Sequence, residues 1–211
     1  MVLALLLVIA YFLGSIPSAV WISRLVYNID IRDHGSGNAG ATNTFRILGP
    51  KAGSVVMLSD MMKGFIAVKL ALLSHLWPNG DLYANFQVFL GLSAVIGHIF
   101  PIWAEFRGGK GIATLFGMIL SIQPMVAVSL IVVFLCMLYL TNYVSLSSIT
   151  ASIAFPVLIV FIFNAPDHIG YRLFAIATSI LVVLTHHKNI GRLLTGNESK
   201  VSLFKKNKKR D

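Results

Sequence analysis

The chain has 211 residues, of which 56% are hydrophobic and only 12% are charged. Because a soluble domain usually carries about 25% charged residues, this composition excludes an ordinary soluble globular protein and predicts a helical protein that crosses a membrane several times. The net charge of +9 does not indicate nucleic-acid binding, since eight of the seventeen Lys and Arg residues follow His187 in one tail. The single cysteine, Cys136, lies in an apolar run, which excludes a disulfide framework and a cysteine-based metal site.

Long apolar runs alternate with short polar segments along the chain. The first run, Val2–Val26, resembles a signal peptide, but Gly14-Ser15-Ile16-Pro17 is followed by more apolar sequence. We therefore expect a retained first span whose end is distorted by the proline. Further apolar runs predict membrane spans at Ala52–Leu76, Phe86–Trp103, Ile112–Leu140, Ile149–Phe163 and Tyr171–Thr185.

The run Ile112–Leu140 is interrupted only by Gln123-Pro124, so it could form one long span or two short ones. Two spans place Lys51, Arg107, Lys110 and the basic tail on one side, as the positive-inside rule requires. The turns on the other side, at 77–84, 123–124 and 164–170, then contain no Lys or Arg. The sequence thus predicts seven transmembrane helices with an external N-terminus and a cytoplasmic C-terminus, in one domain, 1–211, that ends in a basic cytoplasmic tail, 187–211.

The predicted polar loop Asn28–Pro50 contains the segment Gly35-Ser36-Gly37-Asn38-Ala39-Gly40-Ala41-Thr42-Asn43, followed by Arg46. Its glycines allow consecutive N–H groups to face a ligand, its polar side chains add neutral donors, and Arg46 suits bidentate contact with phosphate. We call residues 35–43 together with Arg46 the anion cradle. Its G-x-G-x-x-G pattern lacks the preceding strand of a dinucleotide-binding fold. A ligand-free flexible loop is the alternative, although a linker needs neither two Asn nor an Arg.

A second glycine-rich segment, Arg107-Gly108-Gly109-Lys110-Gly111, precedes the predicted helix at Ile112. We call residues 107–111 the glycine loop. Three glycines around one Lys suit a smaller anion site, and the N-terminus of the next helix would add N–H groups. The spacing is not that of a Walker P-loop. The alternative is an ordinary positive-inside loop with helix-breaking glycines.

Asp60 and Lys63 lie three residues apart within the second predicted span, followed by Gly64. Charges at membrane depth are costly and are usually paired or functional. Two interpretations stay open: an intrahelical salt bridge, or a pair that supports the anion cradle while Gly64 allows a close helix contact.

His186 and His187 end the last span and are followed by Asn189, Arg192 and Glu198. A histidine here can act as a base or as a donor to a phosphate oxygen, and only one of two adjacent helical histidines faces a given site. We expect no metal, because Glu198 is the sole carboxylate nearby. His75 and His168 fall near the opposite face and suggest interfacial residues. The run Lys205-Lys206-Asn207-Lys208-Lys209-Arg210 is typical of a tail that is solvated or bound to anionic lipid.

The anion cradle with Arg46, the Asp60/Lys63-Gly64 element, the segment His98–Thr114 and His186-His187-x-Asn189 together resemble the PlsY family of bacterial glycerol-3-phosphate acyltransferases. The resemblance covers nearly the whole chain, in order. It implies seven transmembrane helices, an active site at the cytoplasmic face and a place in the bacterial cytoplasmic (inner) membrane. The implied reaction moves an acyl chain from acyl phosphate to the 1-hydroxyl of glycerol 3-phosphate, giving lysophosphatidic acid and phosphate in phospholipid biosynthesis, with no metal or other cofactor.

The resemblance also implies the site residues. The expected catalytic residues are Ser36, Arg46, Lys110 and His186. The expected substrate-binding and phosphate-binding residues are Gly37, Asn38, Gly40, Thr42, Asn43, Lys63, Gly108, Gly109, Gly111, Ser148, His187, Asn189 and Glu198. Ser148 is chosen over Ser145 and Ser147 as the family's serine. Expected partners are the two substrates, membrane lipid and the enzyme that forms acyl phosphate.

Both substrates carry phosphate, which explains two anion-binding segments at one face, and an acyl phosphate is already activated. We expect direct attack by the glycerol hydroxyl, with His186 or a substrate phosphate as the base. An acylated Ser36 is the minor route, because no adjacent His or carboxylate activates it. A transporter of a phosphorylated solute is the main rival, and it would need a site near the bilayer midplane. A lipid phosphatase is a second rival, which the sparse acidic residues disfavour.

Overall fold

In this computed structural model, residues 1–76, 80–163 and 169–201 are described, and they form nine α-helices and no β-strand. The helices are α1 (Val2–Gly14), α2 (Ser18–Tyr27), α3 (Ala41–Lys69), α4 (Asp81–Ile99), α5 (Ile112–Ile122), α6 (Pro124–Thr141), α7 (Val144–Val157), α8 (Ile169–Thr185) and α9 (His187–Leu194). Predictions made for Trp77, for His168 with its turn and for the run 205–210 lie outside the described residues.

Several of these helices are long and apolar enough to cross a membrane, as the composition predicted. Within the described ranges, they are Val2–Tyr27, Asp81–Ala104, Pro124–Thr141 and Val144–Ile162. A fifth is available if Gly170–Thr185 and His187–Leu194, which meet at an angle of 60°, form one span. The helix α5 is apolar but shorter. An all-helical fold with helices long enough to span a membrane is therefore confirmed for the described residues, and the number seven and the orientation stay predictions.

Proline and glycine set the breaks between helices. The first apolar run is divided at Pro17 between α1 and α2, and the run that follows the glycine loop is divided at Gln123-Pro124 between α5 and α6, both as predicted. Within α3, Gly49 adopts φ 86° and ψ −178°. This kink arises because Pro50 disfavours the helical conformation of the preceding residue, and glycine tolerates the positive φ.

Two predicted boundaries are wrong. The polar loop ends earlier than Pro50, because residues 41–48 already form the first turns of α3. The segment left between the predicted spans Ile112–Leu140 and Ile149–Phe163 is reduced to a turn at Asn142-Tyr143, since α7 begins at Val144. The basic tail begins with a helix, because its first eight residues form α9. Both wrong boundaries lie where a polar helix end at a membrane face has the composition of a loop.

Glycines bring two pairs of helices into close contact, α1 with α4 and α3 with α5. A Cβ added to any of four glycines would lie within 2.3 Å of a backbone carbonyl oxygen of the facing helix. The pairs are Gly14 with Ala94, Gly97 with Tyr11, Gly64 with Thr114, and Gly117 with Met61. Small residues at such contacts let helix backbones approach closely in membranes. These contacts fix the ends of α4 and α5, between which the glycine loop is held.

Candidate functional site

The carboxylate of Glu198 accepts hydrogen bonds from three side chains in different parts of the chain. Its Oε1 accepts hydrogen bonds from Ser145 Oγ at 2.8 Å and from Asn189 Nδ2 at 2.6 Å. Its Oε2 accepts a hydrogen bond from Arg192 Nε at 2.7 Å. Burial alone would raise the pKa of this carboxyl, but these hydrogen bonds outweigh it and the pKa is lowered. Glu198 is thus held as a carboxylate.

The chain after α9 turns back sharply to bring Glu198 to this position. The N–H of Asn197 donates to Arg192 O at 2.7 Å and that of Gly196 to Leu193 O at 3.2 Å, with φ 72° at Gly196. This is a Schellman motif, in which glycine ends a helix by reversing the chain. Farther on, the N–H of Val201 donates to Asn142 O at 2.8 Å, which secures the segment against the turn between α6 and α7.

Lys110 of the glycine loop joins this group through Asn189. Its Nζ donates to Asn189 Oδ1, while the amide of the same Asn189 donates to Glu198. We call Lys110, Ser145, Asn189, Arg192 and Glu198 the Lys110–Glu198 network. Burial, reinforced by the charges of Arg192 and Arg46 and opposed by Glu198, lowers the pKa of Lys110 to about 8.

His186 lies beside the network, at the junction of α8 and α9. It is 2% exposed, and its Nδ1 donates to Val182 O at 2.8 Å. This bond assigns the ring proton to Nδ1 and leaves Nε2 free to accept a proton. Burial, together with the charge of Lys110, lowers the pKa of His186 to about 4, so the ring is neutral near pH 7. His187 is exposed, as expected for its neighbour on a helix.

The anion cradle is shaped from inside by Asn43, which is 1% exposed. Its Oδ1 accepts the N–H of Ser36 at 3.0 Å, and its Nδ2 donates to Ile31 O at 3.1 Å and to His34 O at 2.9 Å. The side-chain amide is therefore used to hold the loop. Gly35 and Gly37 adopt φ 61° and 72°, which glycine permits.

The other predicted residues of the anion cradle differ in exposure. Ser36, Gly37, Thr42 and Arg46 are exposed, and Asn38 is half-buried. Gly40 is buried and precedes α3. The charge of Arg46 contributes to the lowered pKa of Lys110, and a Cβ added at Gly109 of the glycine loop would lie 2.9 Å from Ala39 O of the anion cradle.

The glycine loop is tied to the end of α4. The N–H of Gly108 donates to Ile99 O at 3.1 Å and that of Gly109 to His98 O at 3.2 Å. These two N–H groups are therefore occupied within the protein, contrary to the expectation that both face an anion. Gly111, with φ 78°, precedes α5, which begins at Ile112 as predicted. What the glycine loop still offers an anion is the ammonium group of Lys110 and the N-terminus of α5 that follows it.

The side-chain contacts of Lys63 are with groups outside the Lys110–Glu198 network. Its Nζ lies 2.9 Å from Asp60 Oδ1 and donates to Ile16 O at 3.0 Å, and both charged side chains are at most 5% exposed. The intrahelical salt bridge is therefore confirmed. The contacts of Lys63 give no support to its predicted role in binding phosphate.

The three candidate serines of α7 differ in their contacts. Ser145 donates to Glu198, whereas Ser147 and Ser148 donate to Tyr143 O and Val144 O within their own helix. Of the three, Ser145 is the one whose hydroxyl contacts the Lys110–Glu198 network, and Ser148 as the family's serine stays a prediction. Arg192 and Ser145 belong to the network although neither was among the predicted site residues. Among the described residues, no group of His, Cys, Asp and Glu is arranged to hold a metal ion.

Comparison with known proteins places this geometry in context. Residues 4–196 match the family model described as Glycerol-3-phosphate acyltransferase. The chain is 44% identical over 207 residues to the glycerol-3-phosphate acyltransferase of Bacillus cytotoxicus, covering 97% of this chain and 98% of that protein. It is 41% identical over 214 residues to the protein of the same name from Salinibacter ruber, covering 96% and 93%.

Two solved structures are also similar. The crystal structure of PlsY (YgiH), an integral membrane glycerol 3-phosphate acyltransferase, in its glycerol 3-phosphate form has a TM-score of 0.84 and 38% identity, covering 95% of this chain and 96% of that one. The lysophosphatidic acid form has a TM-score of 0.81 and 37% identity, covering 95% of each chain.

Proposed function

The chain belongs to the glycerol-3-phosphate acyltransferase (PlsY) family and is an integral membrane enzyme of lipid biosynthesis. From this premise we propose that it transfers an acyl chain from acyl phosphate to the 1-hydroxyl of glycerol 3-phosphate and releases lysophosphatidic acid and inorganic phosphate. Glycerol 3-phosphate and lysophosphatidic acid are the compounds named for the two similar crystal forms.

The observation that carries the proposal is the meeting of Lys110, Asn189 and Glu198 next to His186. Lys110 and the exposed Arg46 supply positive charge for phosphate, and Glu198 holds Asn189 and Arg192 in place. A phosphorylated acceptor and a phosphorylated donor both require cations beside neutral donors. Ser36, Asn38 and Thr42 supply such donors on the anion cradle.

The reaction needs no group beyond the two substrates and these side chains. The 1-hydroxyl oxygen of glycerol 3-phosphate forms a bond to the acyl carbonyl carbon, and the bond from that carbon to the phosphate oxygen breaks. Phosphate leaves with the electron pair, while its growing charge is offset by Lys110 and Arg46. The hydroxyl proton passes to Nε2 of His186 or to a phosphate oxygen of a substrate.

The assay uses the purified full chain in detergent with palmitoyl phosphate and glycerol 3-phosphate, following phosphate release and the lysophosphatidic acid formed. We expect the two products in equal amounts, and only when glycerol 3-phosphate is present. Palmitoyl-CoA replaces palmitoyl phosphate in a parallel reaction, and transfer from the thioester alone would contradict the proposed donor. Uptake of glycerol 3-phosphate into vesicles without turnover would favour the transporter.

We further propose that the single domain, 1–211, spans the bacterial inner membrane seven times, with an external N-terminus and a cytoplasmic tail, 187–211. The position of the anion cradle and the Lys110–Glu198 network on one side of the protein supports this topology. In a Cys136→Ser background, Ser36→Cys and Asn197→Cys should react with an impermeant thiol reagent only from the cytoplasm. Gly80→Cys, at the predicted opposite end, should react only from outside. Labelling of Ser36→Cys and Asn197→Cys from different sides would refute the shared site.

A further inference from the structure

Gly109 lies between the ring of His98 and the backbone of the anion cradle. A Cβ added at Gly109 would lie 2.3 Å from His98 Nε2 and 2.9 Å from Ala39 O. Both distances are shorter than real Cβ contacts, so only glycine fits between these groups. Since Gly109 directly precedes Lys110, the position of the His98 ring affects the position of the Lys110 backbone.

The ring of His98 faces buried charge on its other side. Its Nδ1 lies 3.6 Å from Asp60 Oδ1, and the two side chains are 6% and 3% exposed. Asp60 is paired with Lys63, whose Nζ donates to the carbonyl of Ile16 at the break between α1 and α2. Buried charges in a membrane bundle are costly unless they are paired, and they commonly mark functional sites.

We propose that His98 is a positioning residue, which keeps the glycine loop at a fixed separation from the anion cradle while Asp60 and Lys63 keep its ring in orientation. The inference rests on the proposed acyl transfer. His98 acts through Gly109 on Lys110, whose ammonium group reaches Asn189. A displacement of about 1 Å at a reacting group can cost about 10²-fold in rate, so this contact between His98 and Gly109 is expected to affect kcat.

Two substitutions distinguish the contact of His98 Nδ1 with Asp60 from the contact of His98 Nε2 with Gly109. In His98→Asn, the amide can reach only the position of Nδ1 and still meet Asp60, whereas in His98→Gln it reaches the position of Nε2 beside Gly109. We expect His98→Asn to lower kcat with palmitoyl phosphate and glycerol 3-phosphate by about 10- to 100-fold, and His98→Gln to lower it several-fold less. A role limited to balancing Asp60 predicts the opposite order, and that order would overturn the proposal.

A double-mutant cycle tests the contact itself. Gly109→Ala should lower kcat because its methyl group meets the ring, and shortening His98 in the same protein should remove part of that loss. The combined effect of Gly109→Ala with His98→Asn should therefore be smaller than the product of the single effects. Multiplicative effects would refute the coupling. If His98→Asn does not fold, the cycle with His98→Gln answers the same question, because the amide end can move aside.

Ser93→Ala is the matched control on the same helix. Ser93 Oγ donates to Leu7 O at 2.8 Å, so its loss weakens the contact of α4 with α1 instead of the contact of α4 with the glycine loop. Its kcat should stay within about twofold of wild type. A loss in Ser93→Ala as large as that in His98→Asn would identify a general structural effect and refute positioning. If the wild-type protein shows no acyl transfer, the proposed function is refuted. If the wild type is active but the effects of the His98 and Gly109 substitutions multiply, only the role of His98 is refuted.

Discussion

Asn189 donates its side-chain amide to Glu198 across 2.6 Å while its carbonyl oxygen accepts from Lys110. One neutral side chain thus connects the cation of the glycine loop to the carboxylate beyond α9. Because an amide offers both a donor and an acceptor, it can join these groups without adding charge. This relationship makes the polarity of residue 189, more than its size, the property on which the site depends.

Asn189→Asp should lower kcat/KM for glycerol 3-phosphate by about 10- to 100-fold. The new carboxylate faces Glu198, so a charge-assisted hydrogen bond of about 1.5–3 kcal/mol is replaced by repulsion. Steady-state kinetics of phosphate release measures the effect. Asn197→Asp is the matched control, because the side-chain amide of exposed Asn197 donates to Thr195 Oγ1 at 3.2 Å, outside the network. Equal losses in both variants would contradict the role of Asn189.

Glu198→Gln should lower both activity and stability. Its side chain is 6% exposed and binds Ser145, Asn189 and Arg192, and a neutral amide cannot accept all of these bonds. We expect a loss of about 1.5–3 kcal/mol in the free energy of unfolding, measured as a lower midpoint of thermal unfolding in detergent. Glu105→Gln, whose side chain is 73% exposed, should unfold as wild type does. An unchanged midpoint in Glu198→Gln would show that the network does not stabilise the fold.

Much of this arrangement follows from the sequence, because polar residues are conspicuous in an apolar chain. Gly, Asn, His and charged residues mark the anion cradle, the glycine loop and the end of α8, and the Gln123-Pro124 break is visible directly. What the sequence does not reveal is the direction of each polar group. Asn43 has the composition of a ligand donor, yet its amide is turned inward to hold Ser36.

The missed contacts depend on tertiary structure. The N–H groups of Gly108 and Gly109 are occupied only because α4 ends beside them. The choice between Ser145 and Ser148 depends on where α7 begins, and helix ends are the least certain part of any sequence interpretation. The contact of His98 with Asp60 joins two helices, which no local spacing indicates.

Ser145→Ala and Ser148→Ala form a matched pair that tests which serine belongs to the site. Removal of the Ser145 hydroxyl takes a donor from Glu198, and we expect kcat/KM to fall about 5- to 30-fold, the equivalent of about 1–2 kcal/mol. Ser148 donates only to its own helix, so Ser148→Ala should stay within about twofold of wild type. The reverse order would restore Ser148 as the site residue.

The charge of Lys110 should set the basic side of the pH profile. Its pKa of about 8 means that the free enzyme loses this cation as pH rises through that value, so kcat/KM should fall above about pH 8. Bound phosphates raise the pKa of a nearby Lys, and the fall in kcat should therefore occur at higher pH. Lys110→Arg, which stays charged, should lack this fall even if its activity is lower. A fall that persists near pH 8 in Lys110→Arg would assign it to another group.

His186 should make stability depend on pH below neutrality. Its pKa is lowered from 6.5 to about 4, so its contribution is fully present above pH 6.5. It is lost as pH falls toward 4, because the unfolded chain binds the proton first. The lowering of the pKa from 6.5 to about 4 corresponds to about 3 kcal/mol of folding stability, at 1.36 kcal/mol per pKa unit. Thermal unfolding of His186→Gln should show a weaker pH dependence in this window than wild type. His187→Gln, at an exposed ring, should match wild type, and equal slopes in all three proteins would contradict the burial of His186.

Substitution of His186 tests whether its Nε2 or a substrate phosphate is the general base. If Nε2 of His186 accepts the hydroxyl proton, His186→Gln should lower kcat by about 10²–10⁴-fold and remove an acidic fall in kcat/KM near pH 4. If a substrate phosphate accepts it, the acidic fall should lie near pH 6, where a phosphate monoester takes its second proton. That fall should then persist in His186→Gln. Neutral His186 near pH 7, with its proton directed at Val182 O, is ready for the first route. A persistent fall near pH 6 with a small loss of kcat would exclude it and leave catalysis to the substrate's own phosphate.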